Sequence, residues 1–218
     1  MLKALSRAFE QLFAPAILRL LGYSALLSIL SLVAAWVGIG WLLANTALFE
    51  TGWLESTGDL LGWALTLVLS WFLFPMLAAT FLGLFLEPAA RAVEQRYYPD
   101  LPPAPGLPLL PGIWASVKFL ALVVVLNSAL LAFLLVPIVY PVAFLLVNGF
   151  LLGREYSDLV ALRRIPPREA GQLRASHSGE IFALGVATAA LNMIPFANFV
   201  APIFVTMVFV HRFERWRR

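Results

Sequence analysis

Between Arg19 and Arg91 the chain carries no lysine or arginine. Two long apolar segments fill that gap, at about residues 19–43 and 60–86. Each exceeds the roughly 20 residues that a helix needs to cross a bilayer. The stretch between them, NTALFETGWLESTGD, holds Glu50, Glu55 and Asp59 and no positive charge. Residues 1–19 carry Lys3, Arg7 and Arg19. Basic residues stay on the cytoplasmic side, so the N-terminus is expected inside and the acidic loop outside.

Composition agrees with that reading. The chain is 61% hydrophobic and 12% charged, with a mean hydropathy of +0.89, too apolar for a soluble domain. Seven Trp and seventeen Phe suit membrane interfaces. There is no Cys, which excludes a disulfide framework and a Cys-ligated metal. The net charge of +3 sits in clusters between apolar runs, and no basic stripe interleaves with aromatics, so no nucleic-acid partner is expected. The first apolar run outlasts the roughly 7–15 residues of a signal h-region and no A-x-A site follows it, so it is expected to be retained.

Residues 1–13 repeat Leu2, Leu5, Phe9, Leu12 and Phe13 at helical spacing, with Lys3, Ser6, Arg7 and Glu10 on the other side. That predicts an amphipathic helix, lying on the membrane surface or packed on the protein's own helices. EPAARAVEQRYYP keeps helical spacing through Ala89, Val93 and Tyr97 and predicts a continuation of the second span, kinked at Pro88. DLPPAPGLPLLPG then breaks it, on the cytoplasmic side by virtue of Arg91 and Arg96. Residues 113–152 carry one strong charge, Lys118, and are interrupted by VPIVYP. The arms are 113–136 and 138–152. The second is about 22 Å as a helix, short of a ~30 Å hydrocarbon core. The turn has Tyr140 as its one clearly polar group. A hairpin with its tip within or near the far side of the membrane is predicted.

NGFLLGREYSDLVALRRIPP, residues 148–167, returns from that hairpin and gains charge at Arg154. Arg154 and Asp158 share a helix face and are candidates for an i,i+4 ion pair. Gly149 and Gly153 are also one turn apart and would admit another backbone. Residues 154–180 hold Arg154, Arg163, Arg164, Arg168 and Arg174 and are expected in the cytoplasm. Pro166-Pro167-Arg168-Glu169 reads as a helix start. The last apolar stretch, 181–210, is interrupted by LNMIPFANFVAP, where Asn192, Pro195, Asn198 and Pro202 cluster. Its arms, at about 11–13 residues, give ~16–20 Å and cannot span. The basic tail HRFERWRR puts both ends in the cytoplasm, so a second re-entrant hairpin is predicted. Broken backbone at such depth needs protein burial or a water-filled cavity.

The expectation is thus an all-α integral membrane protein forming one domain over 1–218. It comprises an interfacial helix (1–13), two long spanning helices (16–98), a first hairpin with a cytoplasmic extension (113–165), a cytoplasmic helix (166–178), and a second hairpin with a basic tail (180–218). Enzyme chemistry finds no support: HExxH, GxSxG and GxxxxGK[ST] are absent, and His177 and His211 read as interfacial or surface residues. No metal or cofactor is expected. Asn127 and Asn148 read as helix–helix hydrogen-bonding groups. Asn192 and Asn198 flank a helix break, where they could instead face an ion. Arg19 reads as a snorkelling residue or as a bidentate oxyanion contact, and Arg154 has the same two readings beside its ion pair. Arg163, Arg164, Arg212, Arg215, Arg217 and Arg218 read as positive-inside determinants or lipid-headgroup contacts.

The 148–167 block, followed by LNMIPFANFVAPIFVTMVFVHRF, resembles the CysZ-type sulfate permeases, within the superfamily of the etoposide-induced membrane proteins. The resemblance implies a bacterial inner-membrane protein with two long spanning helices and two half-inserted hairpins. It also implies a homo-oligomer that passes sulfate into the cytoplasm. The family often carries a Gly-Leu-Arg element, linked to sulfate, at the start of the first span. Here the aligned residues are Ile17-Leu18-Arg19, matching at Leu18 and Arg19 and not at the glycine. Leu18, Arg19, Asn192 and Asn198 are therefore the candidate substrate-binding residues. Sulfate or a related oxyanion and membrane lipids are the expected partners. With no nucleotide motif, passive uptake is expected. The alternative is a membrane-shaping or scaffold protein that transports nothing.

Overall fold

The computed structural model describes residues 2–45, 52–106, 109–194 and 197–217. The expected acidic loop falls partly, and Pro195, Arg218 and part of the Pro-rich loop fall wholly, outside the described residues. Among those described there are nine α-helices, one short 3-10 turn and no strand. In chain order they are α1 (Leu2–Leu12), α2 (Pro15–Asn45), α3 (Gly52–Leu84), α4 (Leu86–Tyr97), α5 (Leu109–Leu131), the 3-10 turn Ala132–Leu135, α6 (Tyr140–Ala161), α7 (Pro167–Ser176), α8 (Ser178–Asn192) and α9 (Ala197–Trp216).

Two stretches of the described residues are apolar and long enough to cross a bilayer, Pro15–Trp41 in α2 and Ser116–Leu135 in α5 and its 3-10 extension. Only 11% of the first and 6% of the second is buried within the protein. A soluble core helix would be mostly covered, so these surfaces require an apolar surrounding. The turn after α5 follows suit, with Leu135 and Ile138 almost fully exposed. α3, at 33 residues, is about 50 Å long. It pairs with α2 through two polar clasps. Ser24 Oγ donates to the Ala78 carbonyl at 2.9 Å, and Trp36 Nε1 donates to Ser70 Oγ at 2.6 Å. In a hydrocarbon surrounding each clasp satisfies a group that would otherwise stay unpaired.

Proline placement differs from expectation at Pro88 and Pro202, while the expected break at VPIVYP is present. The α3–α4 path is a break at Phe85, not a kink at Pro88. Pro88 falls in the first turn of α4, where a backbone N–H would have had no helical acceptor. Pro141 sits in the first turn of α6 and starts that helix. Pro202 lies inside α9, which runs on through it. That costs one bond to the Asn198 carbonyl, and Thr206 Oγ1 caps the Pro202 carbonyl at 2.8 Å. The arms of the last hairpin are consequently longer than expected. α8 has 15 residues and α9 has 20, or about 22 and 30 Å.

α9 is the hub. From Val205 to Glu214 every residue is buried, because α1, α3, α4, α6 and α8 all pack around it. Ile17, Leu82, Val93, Val160, Met207 and Phe209 meet in the resulting core. α6 and α8 make the most intimate pair. A Cβ at Gly149 would strike Val186, one at Gly153 would strike the Ile181 carbonyl, and one at Gly185 would overlap the Gly149 carbonyl oxygen. Three glycines therefore let the two backbones touch.

Candidate functional site

The residues singled out for anion contact lie at two places. Ile17 is fully buried in the core, which turns the next two positions of α2 outward. Leu18 is 49% exposed, and Arg19 is exposed. Among the described residues Arg19 makes no hydrogen bond or ion pair. All its guanidinium donors are therefore without a partner among the described residues. Asn192 is the last residue of α8 and Asn198 the second of α9. The structure brings them to the two sides of the α8–α9 turn, both half-buried. Neither amide side chain is hydrogen-bonded to another described residue, and neither is bonded to Arg19.

Asn127 and Asn148 do not bridge helices. Asn127 Nδ2 donates to the Val123 carbonyl at 2.9 Å and Asn148 Nδ2 to the Phe144 carbonyl at 2.8 Å. Each amide is satisfied one turn back on its own helix, so no interhelical partner is needed.

Arg154 Nε lies 3.6 Å from Asp158 Oδ2, an ionic contact rather than a hydrogen bond. The closer partner of Asp158 is Arg174 on α7. The Arg154 guanidinium also lies 5.8 Å from the Phe119 ring centroid, tying α6 to α5. Burial pushes the Asp158 carboxyl up more than Arg174 and Arg154 pull it down. Burial raises Glu155 as well.

A set of ion pairs that sequence reasoning missed occupies the charged end of the molecule. Arg163 and Arg164 were expected at the surface, but their side chains are 7% and 4% exposed. Glu94 on α4 joins them. Arg163 Nη1 donates to Glu94 Oε1 at 2.9 Å, and Arg164 donates through Nε at 2.9 Å. Arg163 also pairs with Glu87, and Arg164 reaches Glu214 on α9 at 3.8 Å. The loop before α5 closes over the pair. Arg164 Nη1 donates to the Pro102 carbonyl at 3.0 Å, and the Gly106 amide donates to the Arg163 carbonyl at 3.1 Å. Gly106 has φ +78°, which a residue with a side chain would resist. Burial alone would raise the Glu94 carboxyl. The hydrogen bonds and charges of Arg164 and Arg163 outweigh it and hold Glu94 below its usual range.

Arg212, also expected at the surface, is buried and pairs with Glu180. Trp216 Nε1 donates to the same carboxylate at 3.0 Å. These contacts outweigh burial and depress Glu180. Arg217 pairs with Glu214 at 2.9 Å. His177 stacks on Trp216. His211 is 4% exposed, not a surface residue, with Nδ1 3.0 Å from the Tyr98 hydroxyl. Burial, then the nearby Arg7 charge, push its pKa down to about 4. Glu94 and its arginines are separated by about seventy residues, so no spacing rule could have joined them.

The protein-family model described as sulfate transporter CysZ/etoposide-induced protein 2.4 matches residues 4–202. The chain belongs to this family. No curated protein matches it. Membership and the two bare apolar helices make it a membrane protein. The match takes in α1 through the first turns of α9, including Leu18, Arg19, Asn192 and Asn198. Ile17, immediately before Leu18 and Arg19, is packed in the core.

Proposed function

We propose that the protein is a passive channel or permease for sulfate or a related tetrahedral oxyanion in a bacterial inner membrane, working as a homo-oligomer and admitting the anion to the cytoplasm. Family membership supports the substrate class. The observation that carries the assignment of a site is Arg19, which is exposed and without an ion pair among the described residues. Every other arginine of the charged cluster described above is already paired with a carboxylate. Guanidinium and a tetrahedral oxyanion match bidentately, so Arg19 with Leu18 at the start of α2 would collect the anion. Asn192 and Asn198 would offer uncharged amide donors at the α8–α9 turn. Such donors hold an anion weakly enough to release it.

Purified protein in liposomes with an inward gradient of labelled sulfate tests the reading. Protein-dependent uptake is expected, with Arg19→Ala lowering it by about tenfold, the scale of a charged hydrogen bond. Absent uptake, or uptake equal in Arg19→Ala, counts against it. The scaffold reading draws on α1 and the turn after it, where Leu2, Phe9 and Phe13 are bare. Vesicle deformation without uptake would favour it.

A further inference from the structure

Between α1, the end of α4 and the end of α9 lies a cavity of about 910 Å³. Lys3, Arg7, Arg212 and Arg215 line it, with His211 and one carboxylate, Glu214. The charges do not balance. Glu214 is already held by Arg164 and Arg217, and Arg212 is held by Glu180. Lys3, Arg7 and Arg215 are exposed and find no carboxylate among the described residues. Three cations facing one cavity repel one another unless an anion occupies it. A second observation points the same way. His211 is nine-tenths buried in the cavity wall, and its Nε2 has no hydrogen-bond partner. If the Tyr98 hydroxyl donates to Nδ1, Nε2 carries the proton and is a buried donor in want of an acceptor.

The size and surroundings of the cavity identify the anion. It lies at the upper end of the 300–1,000 Å³ typical of sites for organic ligands, far too large to grip an inorganic oxyanion. A second groove of about 530 Å³ adjoins it, sharing Leu2 and Lys3. Its other walls are Leu5, Phe9 and Phe204, with Ser6 at the edge. A basic cavity continuous with an apolar groove, on a helix whose Leu2 and Phe9 are bare, matches a phosphate head joined to a hydrocarbon tail. We propose that this cavity binds the phosphodiester headgroup of one anionic phospholipid, with an acyl chain laid along the adjoining groove. The site is separate from Arg19 and does not depend on what the protein transports. The bound lipid would pin α1 to α9 and relieve the repulsion among Lys3, Arg7 and Arg215.

Native mass spectrometry of the delipidated full-length protein tests this, with phosphatidylglycerol, phosphatidylcholine and inorganic phosphate as probes. The expected result is saturable binding of one phosphatidylglycerol per chain, tighter than phosphatidylcholine and not displaced by millimolar phosphate. Arg7→Gln with Arg215→Gln should weaken it about 25-fold, at roughly fivefold for each cation removed. Lys118→Gln with Arg168→Gln removes the same charge elsewhere and should leave it unchanged. Phe9→Ala should weaken the long-chain lipid and leave a short-chain analogue unaffected. Equal binding of both lipids overturns the proposal, as does full displacement by inorganic phosphate, which would make the cavity a free-oxyanion site. The wild-type comparison alone decides between these, whether or not a variant folds.

Discussion

The two ends of this molecule hold together by opposite means. Around α4, α7 and the ends of α6 and α9, charged side chains are buried and paired. Glu94, Arg163, Arg164, Glu180 and Arg212 link segments far apart in the chain. Along α2 and α5 about half of the large apolar side chains are bare and few are fully buried, while Asn127 is satisfied within its helix and Ser24 by its neighbour α3. Lipid can solvate the second region but cannot replace a missing carboxylate in the first. The charged end should therefore be rigid and intolerant of substitution, and the apolar arms forgiving. An anion route through such a protein needs a cation left outside the paired set, and Arg19 meets that condition.

The largest difference between the two ends is expected at Glu94. Glu94→Gln leaves Arg163 and Arg164 buried without their shared counter-charge. A loss of about 3–5 kcal/mol is expected, read as a large drop in thermal stability in detergent. A neutral outcome would mean that the cluster is more hydrated than its burial implies. Next in size is the α6–α8 contact. Gly185→Ala places a methyl on the Gly149 carbonyl and should cost about 1–3 kcal/mol by forcing the helices apart. Gly171→Ala, with open space around it, should be neutral or stabilising by up to about 1 kcal/mol.

Acidification separates the ends further. His211 has a folded pKa of about 4 against an ordinary 6.5. As pH falls through 6.5 the unfolded chain takes up a proton that the folded one refuses, so stability falls until about pH 4. His211→Gln should flatten that limb of a melting-temperature profile. Glu94 and Glu180 are depressed below their ordinary 4.5. Their stabilisation is complete above that value and is lost as pH falls through their lower folded values. The smallest effect belongs to the apolar arm. Asn127→Leu removes an amide that bonds only its own helix, and stability should move by no more than about 0.5 kcal/mol.

Much of this division was legible in the sequence. The absence of Lys and Arg between Arg19 and Arg91 marks α2 and α3, and the single Lys118 in residues 113–152 marks α5, since lipid excludes charge regardless of tertiary detail. The family resemblance, read from the 148–167 block and the final apolar stretch, is borne out by the match over residues 4–202. The paired end was not legible. Arg163 and Arg164 look like any basic cluster until α4 delivers Glu94, and Gly185 carries no sign that it faces Gly149. The break at VPIVYP was legible, but the one near Pro88 was misplaced for a local reason: Pro88 occupies a first turn, where proline is tolerated. The inward turn of Ile17, which leaves Arg19 outside, depends on the core that α9 organises.

Conductance in a planar bilayer under a sulfate gradient tests the role of Arg19 most directly. A protein-dependent current is expected that reverses at the sulfate equilibrium potential and falls about tenfold with Arg19→Ala. No protein-dependent current, or a sulfate current indifferent to Arg19, would contradict it.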